Sequence, residues 1–215
     1  LVVGVNGQGR FEVELGGSVA GHRLMIAQNT GSSGVVLLEN PGSSAVFHSI
    51  YVGGSDTGQG GIGSLAVNAQ ATLDIVGSDG EILIWQGDSM EVAQFATVNA
   101  SSAQIGISGG QLELENGATV TAESVVATNG GILRGPNDIP GTATIHGITR
   151  LLFGGRLELI NGDLVCGDSN DSIGFQAQDG SLVSVGAHTL TVHDQDRAVV
   201  DEVTINGGHI IAPNG

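Results

Sequence analysis

A short apolar pattern recurs along the chain at intervals of about 21 to 29 residues, and it constrains the fold more than any other feature. Each copy has three steps: a strand that ends in a small residue, a second strand that begins at glycine, and a third apolar step. The first copies occupy residues 1–4, 9–13 and 17–19, then 24–27, 34–38 and 44–46, then 50–53, 63–67 and 71–73. Weaker copies of the second step follow at 110–114, 131–134, 155–159 and 180–185. Strands this short cannot bury an apolar face alone, so equivalent strands must stack on one another as in a solenoid.

Two of these strands show the alternation expected of a sheet with one buried face. Residues 112–114 and 157–159 both read Leu-Glu-Leu, a period of two that places the leucines inside and the glutamate in water. Asn-Gly pairs at 116–117 and 161–162 supply the positive φ that tight corners require, although the same pair also signals two-residue hairpins. The three-step recurrence favours coils over a sandwich of hairpins.

These patterns predict an all-β protein that folds as a right-handed parallel β-helix of about nine coils, with residues 1–215 in a single domain. Both ends of the sequence fall inside the repeat, so we expect the domain to be cut from a longer chain with flanking domains. The side chains expected in one continuous interior are Val13, Leu38, Val67, Leu114, Leu159 and Val185. The side chains expected to face solvent are Glu12, Glu113 and Glu158.

Composition argues against several classes of partner and site. The chain has 22 acidic residues against six basic ones, all of them arginine, and a formal net charge of -16. Nucleic acid and anionic membranes are not expected as partners, because both attract clustered cationic side chains. No apolar run reaches the roughly 18 residues of a membrane-spanning helix, so no membrane insertion of this segment is expected. The lone Cys166 excludes an internal disulfide and is expected to be a buried, unreactive thiol.

The first third of the chain resembles a bacterial repeat family. A Val-Gly step, a Gly-x-Gly turn, a short apolar strand, a Gly-Gly turn and a Gly-Ser corner stand at residues 3–4, 7–9, 11–13, 16–19 and 41–44. This order is similar to the repeat of type V secretion passengers and PEP-CTERM-associated proteins, and the match is best over residues 1–75. It departs at Ala45, where the family has tryptophan, so any aromatic stack there is absent or supplied by Phe47. The resemblance implies an exported, often adhesive scaffold and transfers no catalytic residue.

The densest acidic group is a weak candidate for a metal site. Asp163, Asp168 and Asp171 offer the oxygen ligands that calcium prefers, but their spacing matches neither the EF-hand loop nor a calcium β-roll. A plain solvated turn is the competing interpretation. His188 and His193, with two aspartates after them, could suit a transition metal, but their odd spacing does not place both on one strand face.

One segment is longer than the repeat that contains it. Residues 55–63 carry about five extra residues, and insertions in solenoids form lateral loops that often bind partners. A harmless flexible loop is the alternative. The candidate partner-binding residues of this segment are Ser55, Asp56, Thr57 and Gln59.

The function expected is that of a non-enzymatic structural or adhesive segment of a secreted or surface-displayed bacterial protein. We expect it outside the cell, with a host-surface or matrix glycan or protein as partner, and with no catalytic residue and no cofactor. The alternative is a polysaccharide lyase or hydrolase of the same fold, which acids converging from adjacent coils would indicate. An ice-binding or phage-tail solenoid is a third possibility, although the Thr-x-Thr pattern of an ice face was found only at 142–144 and 189–191.

Overall fold

The computed structural model describes residues 1–138, 140–167, 174–193, 198–200, 203–205 and 209–211, and within them the chain forms strands and no helix. In chain order the strands are β1 (Val2–Val3), β2 (Gln8–Val13), β3 (Ser18–Ile26), β4 (Ser33–Leu38), β5 (Ser44–Val52), β6 (Gly54–Ser55), β7 (Gly58–Gln59), β8 (Ile62–Val67), β9 (Thr72–Ile75), β10 (Glu81–Ile84), β11 (Ser89–Val92), β12 (Thr97–Ser108), β13 (Gln111–Leu114), β14 (Thr119–Thr128), β15 (Ile132–Arg134), β16 (Thr142–Leu151), β17 (Arg156–Glu158), β18 (Asp163–Cys166), β19 (Phe175–Ala177), β20 (Leu182–Gly186), β21 (Thr189–Val192), β22 (Ala198–Val200), β23 (Val203–Ile205) and β24 (His209–Ile211).

Two long parallel sheets enclose a common interior. The first sheet has thirteen strands, with the path β1-β3-β5-β10-β12-β14-β16-β18-β21-β24 and β9, β19 and β22 beside it. The second has nine, in the order β2-β4-β8-β11-β13-β15-β17-β20-β23. The strands of the second sheet from β2 to β20 span about seven turns of a β-solenoid. The predicted all-β parallel solenoid is therefore confirmed, while its right-handed sense and the total of nine coils stay predictions.

The pairing register follows the repeat seen in the sequence. In the first sheet Val3 pairs with Ile26, and Ile26 pairs with Val52. In the second sheet the aligned glycines are Gly9, Gly34 and Gly63. The aligned core residues downstream are Leu112, Leu133, Leu157 and Val183. The alignment of copies predicted from the sequence is confirmed at these positions.

Two of the three predicted steps join into one strand. β3 runs through Ser18–Ile26, so the third step of one copy continues directly into the first step of the next. β12 does the same, and its register with β14 is irregular between Ala100 and Gln104. Several turns of the solenoid therefore consist of one straight strand in the second sheet and one longer, irregular strand in the first.

The interior is a single apolar cluster filled mainly by aliphatic side chains. Its members include all six residues predicted to be buried, namely Val13, Leu38, Val67, Leu114, Leu159 and Val185. Phe47 is also buried, against Gly21 of the coil before, where an added Cβ would lie 2.9 Å from its ring. Ala45, two residues earlier on β5, is buried as well.

The outward glutamates do not share one environment. Glu12 is exposed, as predicted. Glu113 and Glu158 face outward, but their side chains are only 17% and 29% exposed, and Arg134 lies between them on the intervening strand. The predicted outward orientation of these two residues is therefore correct, but the prediction did not include their partial burial.

Candidate functional site

The predicted insertion is a short antiparallel hairpin at the corner where the chain passes from β5 of the first sheet to β8 of the second. β6 pairs with β7, and Asp56 and Thr57 form the exposed tip. The Ser55 hydroxyl lies 3.0 Å from the Thr57 hydroxyl and accepts the Thr57 N–H at 3.3 Å. Arg23, from the coil before, donates through Nη1 to Asp56 Oδ2 at 3.1 Å. The tip is thus held in one shape by its own hydrogen bonds and by an ion pair.

The coil that follows holds the other side of the hairpin. The Trp85 indole N–H donates to the Ser55 carbonyl at 3.0 Å. The Gln59 side-chain amide donates to the Gln86 carbonyl at 2.7 Å. Contacts from both neighbouring coils reduce the freedom that the hairpin would lose on binding, which favours a contact role. Its binding of a partner stays a prediction.

Asp88 closes the base of the hairpin from the inside. Asp88 is 3% exposed, and its Oδ1 accepts a hydrogen bond from the Gly63 N–H at 2.6 Å. Oδ2 packs against Gly53, where an added Cβ would lie 1.7 Å away, and has no hydrogen-bond partner among the described residues. Burial raises the pKa of Asp88 to about 6, with the Gly63 N–H opposing that rise. The chain leaves the coil at Gly53 and returns at Gly63, so one carboxyl group spans both ends of the insertion.

Asp88 interrupts a column of small residues. The residues level with it in the other described coils are Gly9, Gly34, Gly63, Gly110, Gly131, Gly155 and Ser181. The column is crowded, because an added Cβ on Gly131 would lie 2.1 Å from the Ile107 carbonyl oxygen. Next to Asp88, the chain of the preceding coil leaves the coil at Gly53 and enters the hairpin. The hairpin and Asp88 are therefore two halves of one structural unit.

Acidic side chains from adjacent coils meet on the outer face of the second sheet. Glu91, Glu113, Arg134 and Glu158 lie in register on β11, β13, β15 and β17. Arg134 Nη2 donates to Glu158 Oε2 at 2.9 Å, and Nη1 lies 4.0 Å from Glu113 Oε2. Arg134 thus bridges two carboxylates, while Glu91 forms no ion pair with any described residue.

A buried carboxylate beside this row positions a loop. Glu115 is 2% exposed, and its oxygens accept the backbone N–H groups of Asn137 at 3.1 Å and Asp138 at 3.0 Å. A buried charge with two such donors is well satisfied. Glu115 is therefore a structural anchor for the loop after β15.

The two neighbouring carboxyls of the row have altered acidity. Partial burial raises the pKa of Glu91, and the negative charges of Glu113, Glu115 and Asp138 raise it further. Burial also raises the pKa of Glu113, and the adjacent Glu115 adds to the rise, although a hydrogen bond with Asn137 and the charge of Arg134 lower it. Adjacent carboxyls of this kind can exchange protons with a ligand, which is the chemistry of general acids and bases.

Of the three calcium candidates, Asp163 is the one that lies in the described part of the chain. Asp163 Oδ1 accepts a hydrogen bond from the Thr189 N–H of the first sheet at 2.8 Å, so one of its two oxygens already has a partner within the protein. His188 Nε2 lies 2.7 Å from the Ile160 carbonyl. Outside the described residues lie Asp168, Asp171, Asp194 and Asp196. The described residues contain no group of three or more His, Cys, Asp or Glu that could hold a metal, and the calcium site stays a prediction.

The cysteine matches its predicted role. Cys166 is fully buried and free, and burial raises the pKa of its thiol to about 12. A thiol with so little thiolate at neutral pH is a poor nucleophile. It acts as a small apolar residue of the core.

Hydroxyl groups form a row along the first sheet. The residues in register are Ser18, Ser44, Thr72, Thr97, Thr119 and Thr144. The expectation of only two Thr-x-Thr steps was wrong, because Thr119 and Thr121 form a third on β14. The parallel row two residues on contains Asp74, Asn99 and His146, so the regularity is limited to one row.

Sequence reasoning did not select Asp88, Trp85 or Glu91. A signal for Asp88 was present, since it stands where the repeat has glycine. Glu91 belongs to the copy at residues 89–92, whose apolar positions are Met90 and Val92 and which lacks a leading glycine. That copy was therefore not recognised.

Comparison with known proteins finds no matching family model, no matching curated protein and no matching solved structure. The resemblance to bacterial passenger repeats therefore stays a prediction. Among the described residues there is also no helix with the length and hydropathy needed to cross a bilayer.

Proposed function

We propose that the chain is a non-enzymatic structural or adhesive segment of a secreted or surface-displayed bacterial protein. In this proposal it is a right-handed β-helix of about nine coils, outside the cell, that presents a fixed contact element on a rigid rod. The hairpin carries the proposal: its polar tip is exposed, while Arg23, Trp85 and Asp88 hold its flanks and base. Loops held by a rigid scaffold are favoured positions for recognition.

The tip offers a compact set of polar groups to a partner. Asp56, Thr57 and Gln59 are exposed, and Ser55 is partly so. Because Asp56 is paired with Arg23, the charge of the tip is partly neutralised. A host-surface or matrix glycan or protein fits such a tip through hydrogen bonds and shape.

Bead adhesion tests this proposal. Beads coated with the whole chain should adhere to a layer of extracellular matrix, and a Thr57→Ala, Gln59→Ala variant should adhere several-fold less. Thr30→Ala, at the corner of the coil before, is the matched control and should adhere like wild type. If the hairpin variant adheres as strongly as wild type, the hairpin is not the contact element. A wild-type chain that does not adhere at all would overturn the adhesive role.

A carbohydrate-active enzyme is the second candidate, and the in-register pair of Glu91 and Glu113 favours it. Glycoside hydrolysis needs two carboxyl groups flanking one bond. The Glu113 carboxylate, however, already accepts a hydrogen bond from Gln111 Nε2 at 2.7 Å. Turnover of neutral or uronate polysaccharides that is lost in both Glu91→Gln and Glu113→Gln, but kept in Asp74→Asn, would replace the scaffold proposal with this one.

A further inference from the structure

One row of corners joins the second sheet to the first, and five successive coils build it in the same way. Each corner is a two-residue turn closed by a backbone hydrogen bond of 2.9–3.1 Å. The five bonds run from Gly17 N to Glu14 O, Ser43 N to Asn40 O, Ala71 N to Asn68 O, Ala96 N to Ala93 O and Ala118 N to Glu115 O. The corners can therefore be compared position by position.

The second turn residue is glycine in three of these corners and not in the two between them. Gly16, Gly42 and Gly117 have φ of 77°, 83° and 74°, the left-handed region that suits glycine. Gln70 and Phe95 take the same position with φ of 65° and 64°. Left-handed backbone disfavours residues with a Cβ, so both side chains are present at a cost in stability.

The first turn residues of the same two corners are also left-handed, as Leu15 is in the first corner with φ of 54°. Ala69 has φ of 51° and Gln94 has φ of 54°. Turns with two positive φ values normally use Gly, Asn or Asp. Of the five corners in this row, only these two have a side chain with a Cβ at both left-handed turn positions. Backbone strain of this kind clusters at functional sites, where it is kept because the side chains are needed.

Phe95 is both exposed and fixed. The residue is 62% exposed, although burying its ring would be favourable. One side of the ring packs on Gly117 of the next coil, where an added Cβ would lie 2.2 Å from Phe95 Cδ1. The Phe95 N–H also donates to the Asn116 carbonyl at 3.3 Å. The ring is therefore a supported aromatic platform with its other side open.

A cleft beside this ring has a distinct chemical character. Its volume is about 260 Å³, and its lining residues are Pro41, Ala69, Gln70, Gln94, Phe95 and Asn116. Half of these residues are apolar and the other half carry neutral amides. No charged side chain is among them, although the chain as a whole has a formal charge of -16.

We infer that this corner cleft binds a short stretch of a neutral glycan, with one sugar ring stacked on Phe95 and its hydroxyls bonded to the amides of Gln70, Gln94 and Asn116. Amides both donate and accept, as sugar hydroxyls require. An aromatic face offers the apolar side of a sugar ring a flat surface. The formal net charge of -16 on the chain disfavours polyanionic glycans. This inference rests on the proposed adhesive function and gives that function a ligand class.

Affinity electrophoresis of the whole chain tests the inference. Native gels would contain hydroxyethylcellulose, galactomannan or xyloglucan as neutral probes, and polygalacturonate as the anionic probe. Wild type should be retarded by at least one neutral polymer and not by polygalacturonate. Phe95→Gly should lose that retardation while its melting temperature stays the same or rises, since glycine accepts the backbone conformation. If Phe95→Gly does not fold, Phe95→Asn serves instead, because Asn tolerates positive φ.

Phe153→Gly is the matched control. Phe153 is 65% exposed with φ of 50°, and it lies in the opposite row of corners, before β17. This variant should keep the retardation. A wild-type chain that no neutral polymer retards, or a Phe95→Gly chain retarded like wild type, would overturn the inference. The adhesive proposal is tested separately by the beads, so beads that still adhere would show that the subsite alone is wrong.

Discussion

Asp88→Asn is expected to remove a pH dependence from the stability of the coils around the hairpin. Burial raises the pKa of Asp88 from the ordinary 3.8 to about 6 in the folded protein. The folded state therefore binds a proton that the unfolded chain releases between these two values. It follows that this group's contribution to stability is complete below about pH 3.8 and is lost as the pH rises through about 6. At about 1.4 kcal/mol for each pKa unit, that contribution is about 3 kcal/mol.

The asparagine side chain keeps the shape but cannot titrate. Its Oδ1 can still accept the Gly63 N–H, and its amide NH₂ replaces the unpaired Oδ2 beside Gly53. An unpaired buried amide costs about 1–3 kcal/mol, so the two proteins can have similar stability at neutral pH. The informative quantity is therefore the change in stability between pH 7 and pH 4.5.

Urea unfolding followed by the fluorescence of Trp85 measures this change locally, because the chain has one tryptophan and its indole is bonded to the hairpin. Acidification from pH 7 to pH 4.5 should stabilise wild type more than Asp88→Asn, by about 2 kcal/mol. Glu91 and Glu113, whose pKa values are also raised, contribute equally to both proteins and cancel in the difference. Asp74→Asn, the same change on an outward side chain, should follow wild type. Parallel pH profiles for wild type and Asp88→Asn, within about 0.5 kcal/mol, would refute the reasoning.

Three further predictions concern the core, the charged row and metal dependence. Leu114→Ala should cost about 2–5 kcal/mol in calorimetry, because Leu114 is fully buried, and a loss below about 0.5 kcal/mol would place it outside the core. Arg134→Gln should raise the pKa of Glu113 in an NMR titration, since Arg134 now lowers it, and an unchanged or lower pKa would contradict the ion-pair geometry. Melts with and without chelator should agree within about one degree, whereas a large drop in chelator would favour Asp163, Asp168 and Asp171 as calcium ligands.

The fold could be predicted because its information is local and repeated. Leu112 and Leu114 alternate with Glu113, and equivalent strands recur with their glycines, so stacking and the buried face follow from the sequence. The long strands of the first sheet could not be predicted in the same way. In β3 the alternation is lost between Ala20 and Arg23 while the pairing with β5 continues on both sides, so one irregular strand looks like two.

The site was only partly predictable. The insertion at residues 55–63 is visible as extra length, but the burial of Asp88 depends on space that exists only once the hairpin has formed. The corner cleft did leave a signal, since Gln70 and Phe95 stand where other corners have glycine. That signal is visible only when equivalent corners are aligned. The corner containing Phe95 follows β11, and the position of β11 in the repeat is defined by its pairing with β8 and β13.

The pairing of the hairpin with the next coil also has a consequence for protein engineering. Solenoid coils are attractive units for recombination, because each contacts mainly its neighbours. The hairpin does not belong to one such unit: its insertion point at Gly53 and Gly63 is in one coil, and Trp85 and Asp88 are in the next. A graft that transfers residues 53–63 alone would place the loop next to a coil that has glycine at the position of Asp88. The Gly63 N–H would then lose the carboxyl group that accepts its hydrogen bond. The smallest exchange that carries the loop with all its contacts is therefore three coils, because the coil before supplies Arg23 and the coil after supplies Trp85 and Asp88.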